Sequence, residues 1–254
     1  MTSILALEID GRPVSAAEAW STAAGYGHFT AMQVRGTRAR GLTLHVDRLA
    51  AANRDLFDAG LDGERVRSLI RHALGEVADA SVRVYCFETD AEPAVMVTAR
   101  GPAGVTSPQR LRSVRYHRPD AHLKHLATGQ GYHSRAARRL GFDDALLVDE
   151  RGMVCEGATA NIGFLEEPGV VWPDGPHLRG ITMQLLQRKL PEAGIPSRTA
   201  SVSVDDAKAS EGAFLSSARG IAVVAAIDDA PLPEPTERIH AIADAYESVP
   251  WDPI

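Results

Sequence analysis

Asp144-Ala-Leu-Leu-Val-Asp149-Glu150-Arg-Gly-Met-Val-Cys-Glu156-Gly-Ala-Thr-Ala-Asn161-Ile is the stretch on which the reading of this chain turns. Its apolar run after Asp144 reads as a strand, Glu150-Arg-Gly152 as a hairpin turn, and Met153-Val-Cys155 as the return, ending on Glu156 where the chain turns before another strand. A carboxylate at such a strand end often does no more than cap a turn. Here a lysine, Lys124, stands upstream of the same strand and turn, and the reading brings Lys124 and Glu156 into one cleft.

Working outward, the chain begins as sheet, with Ile4 to Ile9, the turn Asp10-Gly11 and a returning Arg12-Pro13-Val14. Gly25 to Val34 and Gly41-Leu-Thr-Leu read as two strands around Arg35-Gly-Thr-Arg. His45 then opens a helix whose stripe is Val46, Leu49, Ala50, Asn53, Leu56 and Phe57. A second helix is predicted over Glu64 to Val77, followed by strands at Ser81–Phe87 and Ala94–Ala99. Gly101 to Gln109 is rich in Gly, Pro, Ser and Thr, the composition of a connection, and places a domain boundary there. Residues 1–110 form one α+β domain on this reading, and 111–254 a second mixed domain carrying Lys124. The second half holds helices at Ser134–Leu140 and from Gly180-Ile-Thr-Met, strands at Ala213-Phe-Leu-Ser and Ile221–Ile227, and a last helix ending near Tyr246.

The 254 residues are 44% hydrophobic and 24% charged, enough for a substantial core. A net charge of -6 gives no electrostatic reason to bind nucleic acid or an anionic membrane. No apolar stretch approaches membrane-spanning length, and the N-terminus lacks a basic n-region. Cys86 and Cys155 have no paired spacing and read as buried reduced thiols, so a cytoplasmic protein without a disulfide framework is expected. His122, His125 and His133 lack matching Cys or carboxylate spacing, and no metal is assigned to them.

Lys124 lies in His122-Leu-Lys-His125-Leu, where flanking leucines suggest partial burial and neighbouring histidines, when protonated, lower an amine pKa. Both favour the neutral amine that attacks a carbonyl. An amine and a carboxylate in one cleft suit pyridoxal 5'-phosphate, which needs the amine for its aldehyde and an acid partner for its ring nitrogen. For its phosphate there are three contributors: Arg48, the helix opening Leu178-Arg-Gly180-Ile181-Thr182, and Ser216-Ser217. A glycine before a helix start, with exposed N–H groups and a hydroxyl beside them, favours an anion. Thr159 and Asn161 either orient Glu156 or satisfy the turn.

These residues resemble the class IV aminotransferases, the fold-type IV pyridoxal phosphate enzymes that include branched-chain and D-amino acid aminotransferases and aminodeoxychorismate lyases. The resemblance is carried, in order, by Gly25-Tyr-Gly-His-Phe-Thr, His45-Val-Asp-Arg48-Leu, Lys124-His-Leu, Gly141 to Asp149, Glu156 to Ile162, Leu178 to Thr182, and Phe214-Leu-Ser-Ser217 with Gly220-Ile-Ala-Val-Val. It implies a D-amino acid aminotransferase-like fold, with a small N-terminal and a larger C-terminal α/β domain, in a homodimer. It implies that Lys124 forms the Schiff base and moves the substrate proton, and that Glu156 pairs with the ring nitrogen. Arg48, Asn161, Gly180, Ile181, Thr182, Ser216 and Ser217 serve the cofactor, with Leu178 on the ring face. The implied reaction moves an amino group from an amino acid or amine to a 2-keto acid. The alternatives are pyruvate elimination by a lyase, which Lys124-His-Leu also resembles, or a fold that has left the cofactor behind. His28, Thr30, Gln33, Arg100 and His117 are the candidate substrate contacts. Arg179, Ala160 and Gly220 depart from residues common in the family.

Overall fold

The computed structural model describes residues 4–15, 26–89, 93–126 and 129–254. Gly25 of the Gly25-Tyr-Gly stretch lies outside them. The chain divides into two compact units, Met1–Ala103 with Leu123–Ala127 and Pro250–Ile254, and Gly104–His122 with Thr128–Val249. Lys124 therefore belongs to the first unit, although the sequence reading put it in the second half. The reason is the backbone: Phe29 N–H donates to Lys124 O at 2.9 Å and Leu126 N–H to Gly27 O at 2.8 Å.

The first unit starts with β1 (Ile4–Ile9) and β2 (Arg12–Pro13), continues through β3 (Gly27–Arg35), β4 (Arg38–Arg40), helices α1 (Leu42–Phe57) and α2 (Gly63–Leu74), and ends this run with β5 (Ala80–Phe87) and β6 (Ala94–Arg100). Among the described residues a seven-stranded sheet forms, in the order β4-β3-β5-β6-β1-β2 with Trp251–Pro253 added outside β4. β3 and β5 pair antiparallel over their length, His28 opposite Cys86 and Thr30 opposite Val84. Period-two alternation therefore sends His28, Thr30, Met32 and Val34 to one buried side. There Met32, Val34, Val82, Val84, Val95 and Val97 pack against Leu42, Val46 and Leu49 of α1 and Val66 and Ile70 of α2.

Three helix boundaries differ from expectation; one is the helix read at Ser134–Leu140, which instead runs Gln130–Arg139, its first turn closed by Tyr132 and His133 N–H to Gly129 O. Gly41-Leu-Thr-Leu is not a strand, because Gly41 takes a left-handed φ of 65° and accepts from His45 N–H, so α1 opens at Leu42. The second helix stops at Leu74, where Gly75 (φ 52°) turns its N–H back to Arg71 O and His72 O, and Val77 packs from beyond the helix.

The second unit contains β7 (Gln109–Arg115), α3 (Gln130–Arg139), β8 (Asp144–Val148), β9 (Val154–Gly157), β10 (Asn161–Glu166), β11 (Gly169–Pro173), α4 (Ile181–Glu192), β12 (Ser197–Ala200), α5 (Val204–Ala209), β13 (Ala213–Ser217), β14 (Gly220–Ile227), β15 (Ala230–Pro231) and α6 (Thr236–Glu247). Its sheet runs β12-β11-β10-β13-β14-β7-β8-β9. The hairpin between β8 and β9 is as read from sequence: Asp149 Oδ1 accepts from Arg151 and Met153 N–H, and Gly152 takes the positive φ of 78°. Leu146, Val154, Ile162, Phe164, Leu215 and Val224 share one core. Strand 251–253 is β16; it returns to the first unit and pairs antiparallel with β4. Cys86 and Cys155 are free and buried, and burial pushes their thiols up to about 12 and about 11. No helix among the described residues is long and apolar enough to cross a membrane.

Candidate functional site

In the first unit, residues 124–126 act as a short added partner of β3, with an isolated bridge between His28 and His125. Lys124 is partly buried, and its Nζ stands 4.9 Å from the centre of the Phe29 ring. That ring stacks on Tyr85 at 5.4 Å, so the lysine amine is presented against a fixed aromatic face. Gly27 is forced at the start of β3: a Cβ there would sit 2.6 Å from Cys86 O.

On the helix-covered side of β3, Thr30 meets α1. His45 and Arg48 are three residues apart on that helix and so share one face. Arg48 Nη2 donates to Thr30 Oγ1 at 2.6 Å, and Thr30 Oγ1 lies 2.6 Å from His45 Nδ1. His45 is buried, and burial together with the Arg48 and Lys124 cations holds its pKa well below 6.5. One turn along α1, Asn53 Oδ1 lies 2.9 Å from His28 Nε2, and burial brings His28 down to about 4. Both histidines are neutral at pH 7.

In the second unit, Glu156 is buried on β9, where Val154 to Gly157 have no exposed residue. Its Oε2 accepts from Leu178 N–H at 3.2 Å, and Arg118 Nη2 stands 3.4 Å from its Oε1. Arg118 is itself 3% exposed and also donates to Ala121 O. Burial lowers the Arg118 pKa, and Glu156 opposes that shift. The Glu156 carboxyl thus has a buried guanidinium on one oxygen and a backbone N–H on the other. The loop to Leu178 lies against β9 because position 175 is glycine; a Cβ there would come 2.6 Å from Val154 O. Leu178 O then accepts from Asn161 Nδ2 at 2.7 Å and from Gly180 N–H at 2.8 Å.

Gly180 leads into α4 without a side-chain cap. The first N–H groups of a helix have no partner within it, and they carry the positive end of its dipole. Thr182 Oγ1 donates to Ser217 O at 2.8 Å, which fastens the start of α4 to the end of β13. Beside Ser217, the Ser216 hydroxyl is buried and has no hydrogen-bond partner among the described residues. Ser217 Oγ accepts from Arg219 N–H. An uncapped helix start and a buried hydroxyl without a partner suit an anion with several acceptor oxygens.

The candidate substrate contacts are placed as follows within their units. His28 and Thr30 are buried on the helix-covered side of β3, committed to Asn53 and to His45 and Arg48. Gln33 is engaged at both ends of its amide, with Ser81 Oγ and with Ala103 N–H and Arg35. Arg100 is exposed at the end of β6, and His117 is exposed beside Arg118. Neither Thr159 nor Asn161 orients Glu156: Thr159 donates to Asp144 Oδ2 at 2.7 Å, and Asn161 serves Leu178. The residue that does so is Arg118, which sequence reasoning missed. Its signal was faint, an arginine in the short loop between β7 and Lys124 with no periodicity to mark it buried.

The model of the family described as amino-transferase class IV matches residues 27–227. A branched-chain aminotransferase of the archaeon Thermoproteus uzoniensis, solved with norvaline, superposes with a TM-score of 0.83 at 21% identity, covering 96% of this chain and 94% of that one. A hypothetical aminotransferase of Mycobacterium tuberculosis in its pyridoxal phosphate-bound form gives 0.82 at 21% identity, with 97% and 98% covered. A Legionella pneumophila protein assigned as a 4-amino-4-deoxychorismate lyase gives 0.81 at 18% identity, with 91% and 93% covered. No curated protein matches the chain. The likeness to these structures is one of fold, and with the family match it fixes an α+β fold of fold type IV. This chain belongs to the class IV aminotransferases, a family whose cofactor is pyridoxal 5'-phosphate.

Proposed function

We propose that this protein binds pyridoxal phosphate and moves an amino group from an amino acid or amine to a 2-keto acid. The observation that carries the reading is the buried carboxylate Glu156, fixed by Arg118 and by Leu178 N–H, in a chain whose family uses this cofactor. The residues present fit the group. In the second unit the uncapped helix start at Gly180 and the buried Ser216 hydroxyl, without a partner among the described residues, suit its anionic end. When bound, pyridoxal phosphate supplies an aldehyde that condenses with an amine and a ring that withdraws electrons from the adjoining carbon.

The chain's own residues do the rest. Lys124 Nζ would hold the cofactor's aldehyde and would carry the substrate's α-proton as a free amine. Glu156 would pair with the ring nitrogen, and Arg118 would hold Glu156 in place for it. Arg48, Thr182, Ser216, Ser217 and the amides of Ile181 and Thr182 bind the phosphate. Leu178 covers the ring, and Asn161 and Gly180 hold Leu178 in place. A homodimer is part of the proposal, carried from the family resemblance.

The test is the visible absorption of purified protein reconstituted with pyridoxal phosphate, followed while L-amino acids, D-amino acids and amines are added without a keto acid. Conversion to the pyridoxamine form by one donor class supports transamination and gives its stereochemistry. Release of pyruvate from aminodeoxychorismate with no amino acceptor assigns a lyase instead, and no visible band at all ends the cofactor reading.

A further inference from the structure

The hydrogen bonds joining Arg48, Thr30 and His45 have one consistent direction. A guanidinium only donates, so Thr30 Oγ1 accepts from Arg48 Nη2 at 2.6 Å. His45 Nδ1 lies 2.6 Å from the Thr30 hydroxyl and 3.5 Å from Arg48 Nη2, which can only donate, so both neighbours favour Nδ1 as the acceptor of a neutral imidazole protonated on Nε2. A doubly protonated His45 would set an N–H against the hydroxyl and add a further cation beside Arg48 and Lys124. Burial and those two cations oppose that state. The arrangement follows from sequence geometry: His45 and Arg48 share a face of α1 at a three-residue step, and Thr30 reaches them from the inward side of β3.

Resting on the reading that Arg48 binds the cofactor phosphate, we infer that Thr30 and His45 are positioning residues that lock Arg48 in the orientation in which it meets that phosphate. The length of an arginine side chain makes this consequential. Left free, it would lose several rotors' freedom on binding an anion, whereas a guanidinium already tied at Nη2 to a buried hydroxyl has lost it on folding. His45 acts on both: its Nδ1 lies 2.6 Å from Thr30 Oγ1 and 3.5 Å from Arg48 Nη2, so it orients the hydroxyl and meets the guanidinium directly.

The experiment titrates apoprotein with pyridoxal phosphate and, separately, with pyridoxal, which lacks the phosphate. Binding is followed by tryptophan fluorescence, and the melting temperature of each apoprotein is recorded. Thr30→Val should weaken pyridoxal phosphate binding about tenfold and leave pyridoxal binding unchanged, while Thr30→Ser restores the wild-type preference. In an Arg48→Lys background Thr30→Val should add nothing, because the two residues act through one contact. Unchanged phosphate preference in Thr30→Val, equal loss for both ligands, or losses that multiply in the double variant would each overturn the inference while leaving the cofactor reading intact. If wild type binds neither ligand, or binds both alike, the cofactor reading fails and the inference with it. Should Thr30→Val not fold, His45→Gln, whose amide oxygen still accepts, is compared with His45→Leu, which cannot accept. Selective loss of phosphate preference in the leucine variant supports the relay, and identical binding by both overturns it.

Discussion

Two side chains of this protein separate chemistry from support. Lys124 presents its amine to the Phe29 ring and is tied to β3 by a backbone hydrogen bond, which survives removal of the side chain. Lys124→Ala is expected to lose both turnover and the visible band of bound cofactor while keeping the fold, as read by absorbance and circular dichroism. Arg118 is the opposite case. Its side chain is 2% exposed and faces a carboxylate 6% exposed, so Arg118→Met removes a buried cation from beside a buried carboxyl. The expected cost is about 3–5 kcal/mol in denaturant unfolding, with part of it recovered in Arg118→Met/Glu156→Gln. The strand and turn that carry Glu156 were legible from the apolar run and the Glu150-Arg-Gly152 turn, whereas the short bridge of His125 to β3 beside Lys124 was not. Arg118 was not, because an arginine in an irregular loop carries no periodic mark of burial.

Helix starts and stops account for most of what the sequence reading placed differently. Gly41 looked like part of a strand because Leu42-Thr-Leu44 alternates; only a left-handed residue at 41 turns that same pattern into the first turn of α1. Gly75 carries the same lesson at the end of α2, where the apolar spacing runs on to Val77 but the backbone does not. The start of α4 was placed correctly, since a glycine followed by Ile-Thr-Met is a strong opening signal. What the sequence could not show is why that glycine is required: a Cβ at 180 would lie 1.9 Å from Asn161 Oδ1. Gly180→Ala should displace Asn161 from Leu178 O, cost about 1–3 kcal/mol by chemical denaturation, and weaken cofactor binding in a titration. At α5, Ser203 and Asp206 form a reciprocal cap, Ser203 Oγ accepting from Asp206 N–H and Asp206 Oδ2 accepting from Ser203 N–H, both at 3.0 Å. Ser203→Ala is expected to cost about 1 kcal/mol with no change in cofactor affinity, which separates local support from the site.

At the scale of the molecule, the α+β architecture was readable from alternating strands and helical stripes, whereas the way the chain divides was not. A boundary near Gly101 to Gln109 follows from composition, but composition cannot show that residues 123–126 return to β3. His28 has an ordinary pKa near 6.5 when unfolded and about 4 when folded, and His45 is likewise depressed. Between those values the unfolded chain binds protons that the native one refuses, so stability is full above pH 6.5 and falls as pH drops toward 4. For His28 the loss approaches about 3 kcal/mol. Denaturation midpoints at pH 7 and pH 4.5 should differ in that direction, and hydrogen exchange at the lower pH should rise first in β3 and α1, which hold both histidines. His28→Gln should flatten the dependence.

The strand Trp251–Pro253 closes an edge of the sheet that begins with Ile4, with Arg40 lying 4.3 Å over the Trp251 ring and Leu42 N–H bonded to Asp252 Oδ2. During synthesis, β4 and the first turn of α1 therefore leave the ribosome some two hundred residues ahead of the segment that covers them. Until translation reaches Trp251, the N-terminal unit is a nascent fold with an unsealed strand, open to pairing with other chains, and it is there that a chaperone would be needed most.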